Sequence, residues 1–232
     1  MSYIQENINE VRDNIYNICK KMNRNPEDIK IIAVTKTVDI DRISTAIDFG
    51  IDAIGENRVQ EIRKKYNKID KKVEWHMIGH LQTNKVKYII DKVSLIHSLD
   101  SLRLAKEIDK RAKNIDKTMN VLVQINIGNE DSKYGIDLDD VHNFIEKLES
   151  FKNLKVQGLM AIAPYVKNPE AVRPHFKKMK KIFDDLKGKD IENLEMKYLS
   201  MGMTNDYLVA IEEGANIVRI GTGIFGKRNY NK

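Results

Sequence analysis

Ile217-Val218-Arg219-Ile220-Gly221-Thr222-Gly223-Ile224-Phe225-Gly226 runs from a short β-rich segment into a glycine-rich turn with an apolar segment behind it. Four residues of mostly β-branched character read as a strand, and the turn sets a helix start directly at its end. The same rhythm recurs through the chain. Lys30 to Thr35, Ala53 to Gly55, Glu74 to Ile78, Leu95 to Ser98, Asn120 to Asn126, Leu154 to Leu159 and Met196 to Leu199 are further strand candidates, which makes eight. Helical periodicity fills the intervals at Ile40 to Phe49, Asn57 to Asn67, Thr83 to Ile90, Ser101 to Ala112, Leu138 to Phe151, Val172 to Leu186 and Asp206 to Glu213. Eight βα units fit a closed parallel barrel better than an open sheet, because closure removes both edges. The expected fold is therefore α/β, a (β/α)8 TIM barrel, as a single domain over 1–232. The second unit carries the weakest signal.

An additional N-terminal helix precedes the first strand. Ile4, Ile8, Val11, Ile15, Ile18 and Met22 recur every three to four residues, and the stretch before Pro26 should end it. With 41% hydrophobic and 32% charged residues in 232, the composition is that of a globular protein with one sizeable core. The apolar runs, such as Ile31 to Val34, are far too short to span a bilayer, and the N-terminus is polar and acidic. A cytoplasmic location with no membrane partner is expected. Cys19, the single cysteine, sits at helical spacing with Ile15 and reads as a small core residue. The net charge of +6 is the balance of 40 Lys+Arg against 34 Asp+Glu. Groups such as Lys110, Arg111 and Lys113 interleave with apolar residues as solvated helix faces do, so no nucleic-acid partner is expected.

In a barrel of this kind functional groups gather where strands end. Lys36 follows Ile31-Ile32-Ala33-Val34-Thr35, which would carry its ammonium into the barrel mouth. Partial desolvation there makes the neutral amine available for imine formation. On that segment alone, a lysine reaching solvent or paired with a carboxylate fits better. Two loops at the other end of the chain add to the case: Ser200-Met201-Gly202-Met203-Thr204 after strand seven and Gly221-Thr222-Gly223 after strand eight. Phosphate sites of these barrels lie after strands seven and eight, where glycines admit an anion close to the backbone. Arg219, if it points inward, needs partners and is more easily explained by function than by structure. Glu56, Asn57, His76, His80 and Asn126 make the remaining strand ends polar. His76 and His80 lack the helix that would bring them onto one face, so no metal site is expected. His97, His142 and His175 show no partner pattern and read as structural or exposed.

Taken together these segments resemble the pyridoxal-phosphate homeostasis protein family, also described as proline synthase co-transcribed homologues. The resemblance rests on Ala33 to Thr37, Gly55 to Glu61, Trp75 to Lys85, Ser200 to Asp206 and Arg219 to Gly226, with Asn126, Glu130, Lys133, Gly135 and Gly158-Leu159-Met160 fitting as well. It implies a barrel like the N-terminal domain of alanine racemase, with pyridoxal 5'-phosphate held as a Schiff base. Lys36 matches the lysine of that linkage. Ser200, Gly221 and Thr222 match positions expected to hold the phosphate, and Arg219 the arginine facing the pyridine nitrogen. Asn57 and His76 are implied as ring neighbours and Thr204 as a neighbour of the phosphate. Thr35 and Thr83 stand where the family often has serine, and Gly223 where alanine is frequent; none of these removes an expected contact.

An arginine at the pyridine nitrogen leaves it unprotonated, which weakens the ring as an electron sink. The expected function is accordingly a cofactor-binding protein that buffers or delivers pyridoxal 5'-phosphate, without robust turnover and with no catalytic residue assigned. PLP-dependent apoenzymes are its expected recipients and a monomer its expected state. A PLP-dependent amino-acid racemase is the alternative, and would need a second acid/base beside Lys36, for which Tyr165 or Tyr207 would have to reach the cofactor. A cofactor-free aldolase explains Lys36 and the phosphate loops equally well from physics alone; the resemblance weighs against it. Lys133 is a candidate second cofactor-handling lysine, though an exposed loop lysine is the commoner situation.

Overall fold

The computed structural model describes residues 2–128 and 134–227. Eight strands pair in parallel, each with its neighbours in chain order, and the last closes on the first. They are β1 (Lys30–Val34), β2 (Ala53–Glu56), β3 (Glu74–Met77), β4 (Leu95–Leu99), β5 (Met119–Ile125), β6 (Leu154–Ala161), β7 (Leu194–Met203) and β8 (Ile217–Ile220). The helices are α1 (Tyr3–Lys21), α2 (Ile40–Asp48), α3 (Val59–Lys65), α4 (Leu102–Lys113), α5 (Val141–Leu148), α6 (Arg173–Lys187), α7 (Tyr207–Glu212) and the single turn α8 (Thr222–Phe225). Among the described residues no helix is long and apolar enough to cross a membrane.

Alternation along each strand makes two cores. The large one lies between strands and helices. The smaller fills the barrel, where Ile32, Ala53, Leu95, Leu122, Met160 and Ile217 pack together with Tyr198. Two residues beyond three of these positions, and beyond Tyr198, the side chains turn polar: Leu95 precedes His97, Leu122 Gln124, Ile217 Arg219 and Tyr198 Ser200. A period of two therefore stacks a polar layer above the apolar plug, toward the C-terminal ends of the strands.

The N-terminal helix begins where Ser2 Oγ accepts from the Ile4 N–H, and Ile4, Ile8, Val11, Ile15 and Ile18 are buried as their spacing requires. Cys19 completes that face, whereas Met22, expected on it, falls just beyond the last turn and is exposed. Asn23 ends the helix in the left-handed region at φ 52°. The helix is pinned to the last βα units: Arg24 donates to the carbonyls of Ile211 and Ala215 at 2.5 and 2.9 Å, and Asn7 Nδ2 donates to that of Ile224 at 2.9 Å.

Two stretches expected as helices differ. Thr83 to Ile90 forms a 3-10 segment over Thr83–Tyr88, in which Val86 is buried, and Ile89 and Ile90 are buried just beyond its end. The helix expected from Asn57 begins only at Val59, because Arg58 is extended at φ −132° and ψ 131°. Asn57 is thereby left at the end of β2. Gly79 makes room for it, since a Cβ there would lie 2.4 Å from the Asn57 carbonyl oxygen. At Gly158, φ is 139° and a Cβ would meet the Tyr198 carbonyl oxygen at 1.9 Å, where the register of β6 and β7 shifts.

Candidate functional site

Lys36 lies two residues beyond the end of β1 and is half-buried. The backbone on both sides of it is held from below. Thr35 Oγ1 donates to Glu56 Oε1 at 2.7 Å, and the Thr35 carbonyl accepts from Lys65 Nζ at 2.8 Å. The Thr37 N–H donates to Glu61 Oε2 at 2.9 Å, and Thr37 occupies the left-handed region at φ 64°. Lys65 joins the two carboxylates, with Nζ 2.8 Å from Glu56 and 2.6 Å from Glu61. Glu56 and Lys65 are both buried, and burial pushes the Glu56 carboxyl up against the pull of the Lys65 ammonium.

β8 lies beside β1, with Ile32 opposite Arg219 and Ala33 opposite Ile220. Gly221 consequently sits against Val34, 3.5 Å from its side chain when a Cβ is placed on the glycine. Thr222 is exposed at the start of α8, and Thr204 Oγ1 accepts from the Gly223 N–H at 3.2 Å. The loops after β7 and β8 are thus joined into one rim beside the end of β1.

Arg219 points into the barrel and is 4% exposed. It donates to Ser200 Oγ at 2.6 Å and to the Ala161 carbonyl at 2.8 Å. Burial lowers its pKa to about 10, opposed by the nearby Asp206 carboxylate. Ser200 is fully buried, and its hydroxyl also meets His97 Nδ1 at 3.1 Å. His97 Nε2 lies 2.9 Å from His76 Nδ1, and His76 Nε2 lies 3.1 Å from Glu74 Oε2, which Lys30 Nζ also reaches at 2.7 Å. Burial holds His76 below, and His97 well below, the ordinary imidazole value. Both ring nitrogens of His76 are therefore engaged, one by His97 and one by Glu74.

His97 escaped sequence reasoning as a site residue, although its parity with Leu95 marks it as inward-facing. Lys65 also escaped it; its spacing of four from Glu61 was the available signal. His80 turns away from His76 to pair with Asp100 at 3.0 Å and to stack on Tyr134. Tyr165 is 87% exposed, and Tyr207 is buried with its hydroxyl bonded to Asn14 on α1. Glu130 and Lys133 lie outside the described residues.

The residues fit an anionic aromatic aldehyde phosphate. Lys36 and Arg219 supply positive charge, the rim of Thr204, Gly221 and Thr222 supplies hydroxyls and approachable backbone, and Asn57 Oδ1 is a buried polar atom without a hydrogen-bond partner among the described residues.

A family profile described as "Alanine racemase, N-terminal domain" matches residues 7–229. A protein of Aquifex aeolicus named pyridoxal phosphate homeostasis protein is 45% identical over 226 residues, which is 97% of this chain and 98% of that one. One of the same name from Escherichia coli K12 is 37% identical over 240 residues and covers both chains fully. Among solved structures, PipY of Synechococcus elongatus with PLP bound superposes with a TM-score of 0.82 at 29% identity, covering 96% of this chain and all of that one. An alanine racemase of Clostridium difficile shares the fold at 17% identity and a TM-score of 0.72; the chain is matched throughout and spans 58% of the racemase.

Proposed function

The chain belongs to the pyridoxal phosphate homeostasis protein family, built on the alanine racemase N-terminal domain, and from that premise we propose that it binds pyridoxal 5'-phosphate and serves its intracellular homeostasis by buffering or delivery. The observation that carries the reading is the pairing of β1, which leads through Thr35 to Lys36, with β8, which carries Arg219 on Ser200 and leads into the Gly221-Thr222 rim beside Val34. When bound, the cofactor supplies an aldehyde with which the Lys36 amine condenses to a Schiff base, releasing one water.

The roles of the remaining residues follow from their surroundings. Gly221, Thr222 and Thr204 receive the phosphate at the rim, while Ser200, expected beside them, lies beneath with its hydroxyl engaged by Arg219 and His97. Asn57 presents its unpartnered amide oxygen to the ring side. Arg219 faces the pyridine nitrogen as a fixed cation, since Ser200 and the Ala161 carbonyl hold its guanidinium and Asp206 favours its charge. A fixed cation there prevents protonation of that nitrogen and withholds the electron sink that amino-acid chemistry requires. His76 closes the floor of the site.

This arrangement supports a holder of the cofactor without robust turnover. A racemase needs an acid/base opposite Lys36, and the two tyrosines considered for that role are turned elsewhere. We read the protein as a cytoplasmic monomer that passes cofactor to PLP-dependent apoenzymes. The whole chain acts as one domain in this reading.

The test is an absorbance titration with pyridoxal 5'-phosphate. A Schiff-base band that appears in the parent protein and is lost in Lys36→Ala supports the reading, and its absence from the saturated parent overturns it. Rapid racemisation of alanine by the loaded protein, abolished in Lys36→Ala, would overturn the assignment as a holder.

A further inference from the structure

The polar layer of the barrel forms one continuous line from Arg219 through Ser200, His97 and His76 to Glu74. The direction of every hydrogen bond in it follows from its ends. Arg219 can only donate, so Ser200 Oγ accepts from it and has its own O–H left to give. Glu74 is a carboxylate, its pKa lowered to about 2 first by the His76 N–H and then by Lys30, so it can only accept. His76 must therefore donate from Nε2 and accept at Nδ1; His97 must donate from Nε2 and accept at Nδ1; and the Ser200 O–H must point to His97. The opposite order leaves a His76 lone pair facing a carboxylate oxygen 3.1 Å away. Burial, which keeps both rings neutral, removes the remaining possibility of an imidazolium donating in both directions.

We propose that this one-way hydrogen-bond chain makes His97 a positioning residue for Ser200 and Arg219, and that Glu74, at the opposite end of the barrel interior, anchors its direction. The proposal rests on the reading of Ser200 and Arg219 as cofactor groups. Its consequence at the site is specific. While the chain is intact, Ser200 spends its only proton on His97 and offers lone pairs to Arg219, so the guanidinium is held in one orientation. Loss of the His97 acceptor frees the Ser200 proton and lets the hydroxyl rotate. Around Glu74, the charged and titratable groups that bear on its carboxylate are Lys30 on β1 and His76 on its own strand, with Lys197 on β7 contributing at longer range.

Two measurements test this, and one of them needs no cofactor. In the cofactor-free protein labelled with 15N-histidine, long-range nitrogen–proton correlations should give His76 and His97 the neutral Nε2–H pattern at pH 8, with that of His97 unchanged down to pH 6. An Nδ1–H pattern on either ring, or titration of His97 at an ordinary imidazole midpoint, overturns the chain even if the cofactor binds. In the second measurement, His97→Leu should weaken binding of pyridoxal 5'-phosphate about tenfold, the loss expected when one hydrogen bond no longer holds the site. It should also shift the pH profile of the Schiff-base band. His97→Asn, whose amide oxygen can replace Nδ1 as acceptor for Ser200, should restore most of both. Glu74→Gln, a half-exposed position, should shift the same pH profile without unfolding the protein. Parent-like affinity and pH profile in folded His97→Leu and Glu74→Gln overturn the proposal. A parent protein that gives the Nε2–H pattern but no Schiff-base band with the cofactor would sink the cofactor reading and, with it, the positioning role.

Discussion

Lys65 Nζ donates to the Thr35 carbonyl oxygen at 2.8 Å, one residue before Lys36. The ammonium comes from α3, so a helix in the second βα unit fixes the chain path at the end of the first strand. It does so while buried between two carboxylates, one of which, Glu56, is fully buried. Removing only the cation leaves that charge uncompensated. Lys65→Met should cost about 3–5 kcal/mol in urea unfolding, and Glu56→Gln added to it should recover a good part of the loss. Equal stability of the single and double variants would contradict this account.

Acid stability follows from the barrel interior. The unfolded chain titrates its histidines near 6.5, whereas burial keeps His76 and His97 unprotonated in the fold. Below that value the unfolded chain takes up protons that the native protein does not, so stability falls. Glu74, ordinarily near 4.5 and held at about 2, repeats the effect as the pH passes from 4.5 toward 2. Glu56 opposes the first stage: its raised pKa makes the native protein the stronger proton binder just above 4.5. Urea midpoints measured against pH should fall in two stages, with His97→Asn flattening the first, Glu74→Gln the second, and Glu56→Gln steepening the first.

Arg24 is the fastener of the N-terminal helix, with both donors on carbonyls at the end of α7 and the turn before β8. Arg24→Ala leaves the Ile211 and Ala215 carbonyls without it and should destabilise the protein by about 1–3 kcal/mol. Hydrogen exchange should quicken over α1 and α7 while β3 to β5 stay as protected as in the parent.

Gly158→Ala should be worse than a typical core substitution. The added methyl would collide with the Tyr198 carbonyl in a backbone conformation that L-residues avoid, and backbone, unlike a side chain, cannot step aside. A loss of roughly 3 kcal/mol or more in chemical denaturation is expected. A melting temperature within a degree or two of the parent would refute it.

The strand pattern was largely legible because burial on both faces of a parallel strand leaves apolar runs that nothing else explains, as at Ile217–Ile220, whose bounds are those observed. β7 was not: it continues through Ser200, Met201 and Gly202 to Met203, residues that read as a loop because the inward face of the polar layer has no use for apolar side chains. Lys36, Arg219 and the glycine-rich rim could be singled out as residue types suited to an aldehyde phosphate. Their support could not. Lys65 and His97 owe their importance to partners far away in the chain, Thr35 in one case and Ser200 in the other, and no local spacing encodes such meetings.

The seam between β1 and β8 also sets when the site comes into being. Lys36 stands just after the first strand and Arg219 on the last, so the two halves of the candidate site are synthesised at opposite ends of the chain. Contacts this distant form late, after the entropy of closing the intervening loop has been overcome. A nascent chain carrying the first seven units would already display Lys36 but would have no Arg219, no Gly221-Thr222 rim and no docking surface on α8 for its N-terminal helix. The complete candidate site thus arrives with the final strand, and a ligand that bridges the seam would favour the closed ring over every partly assembled one.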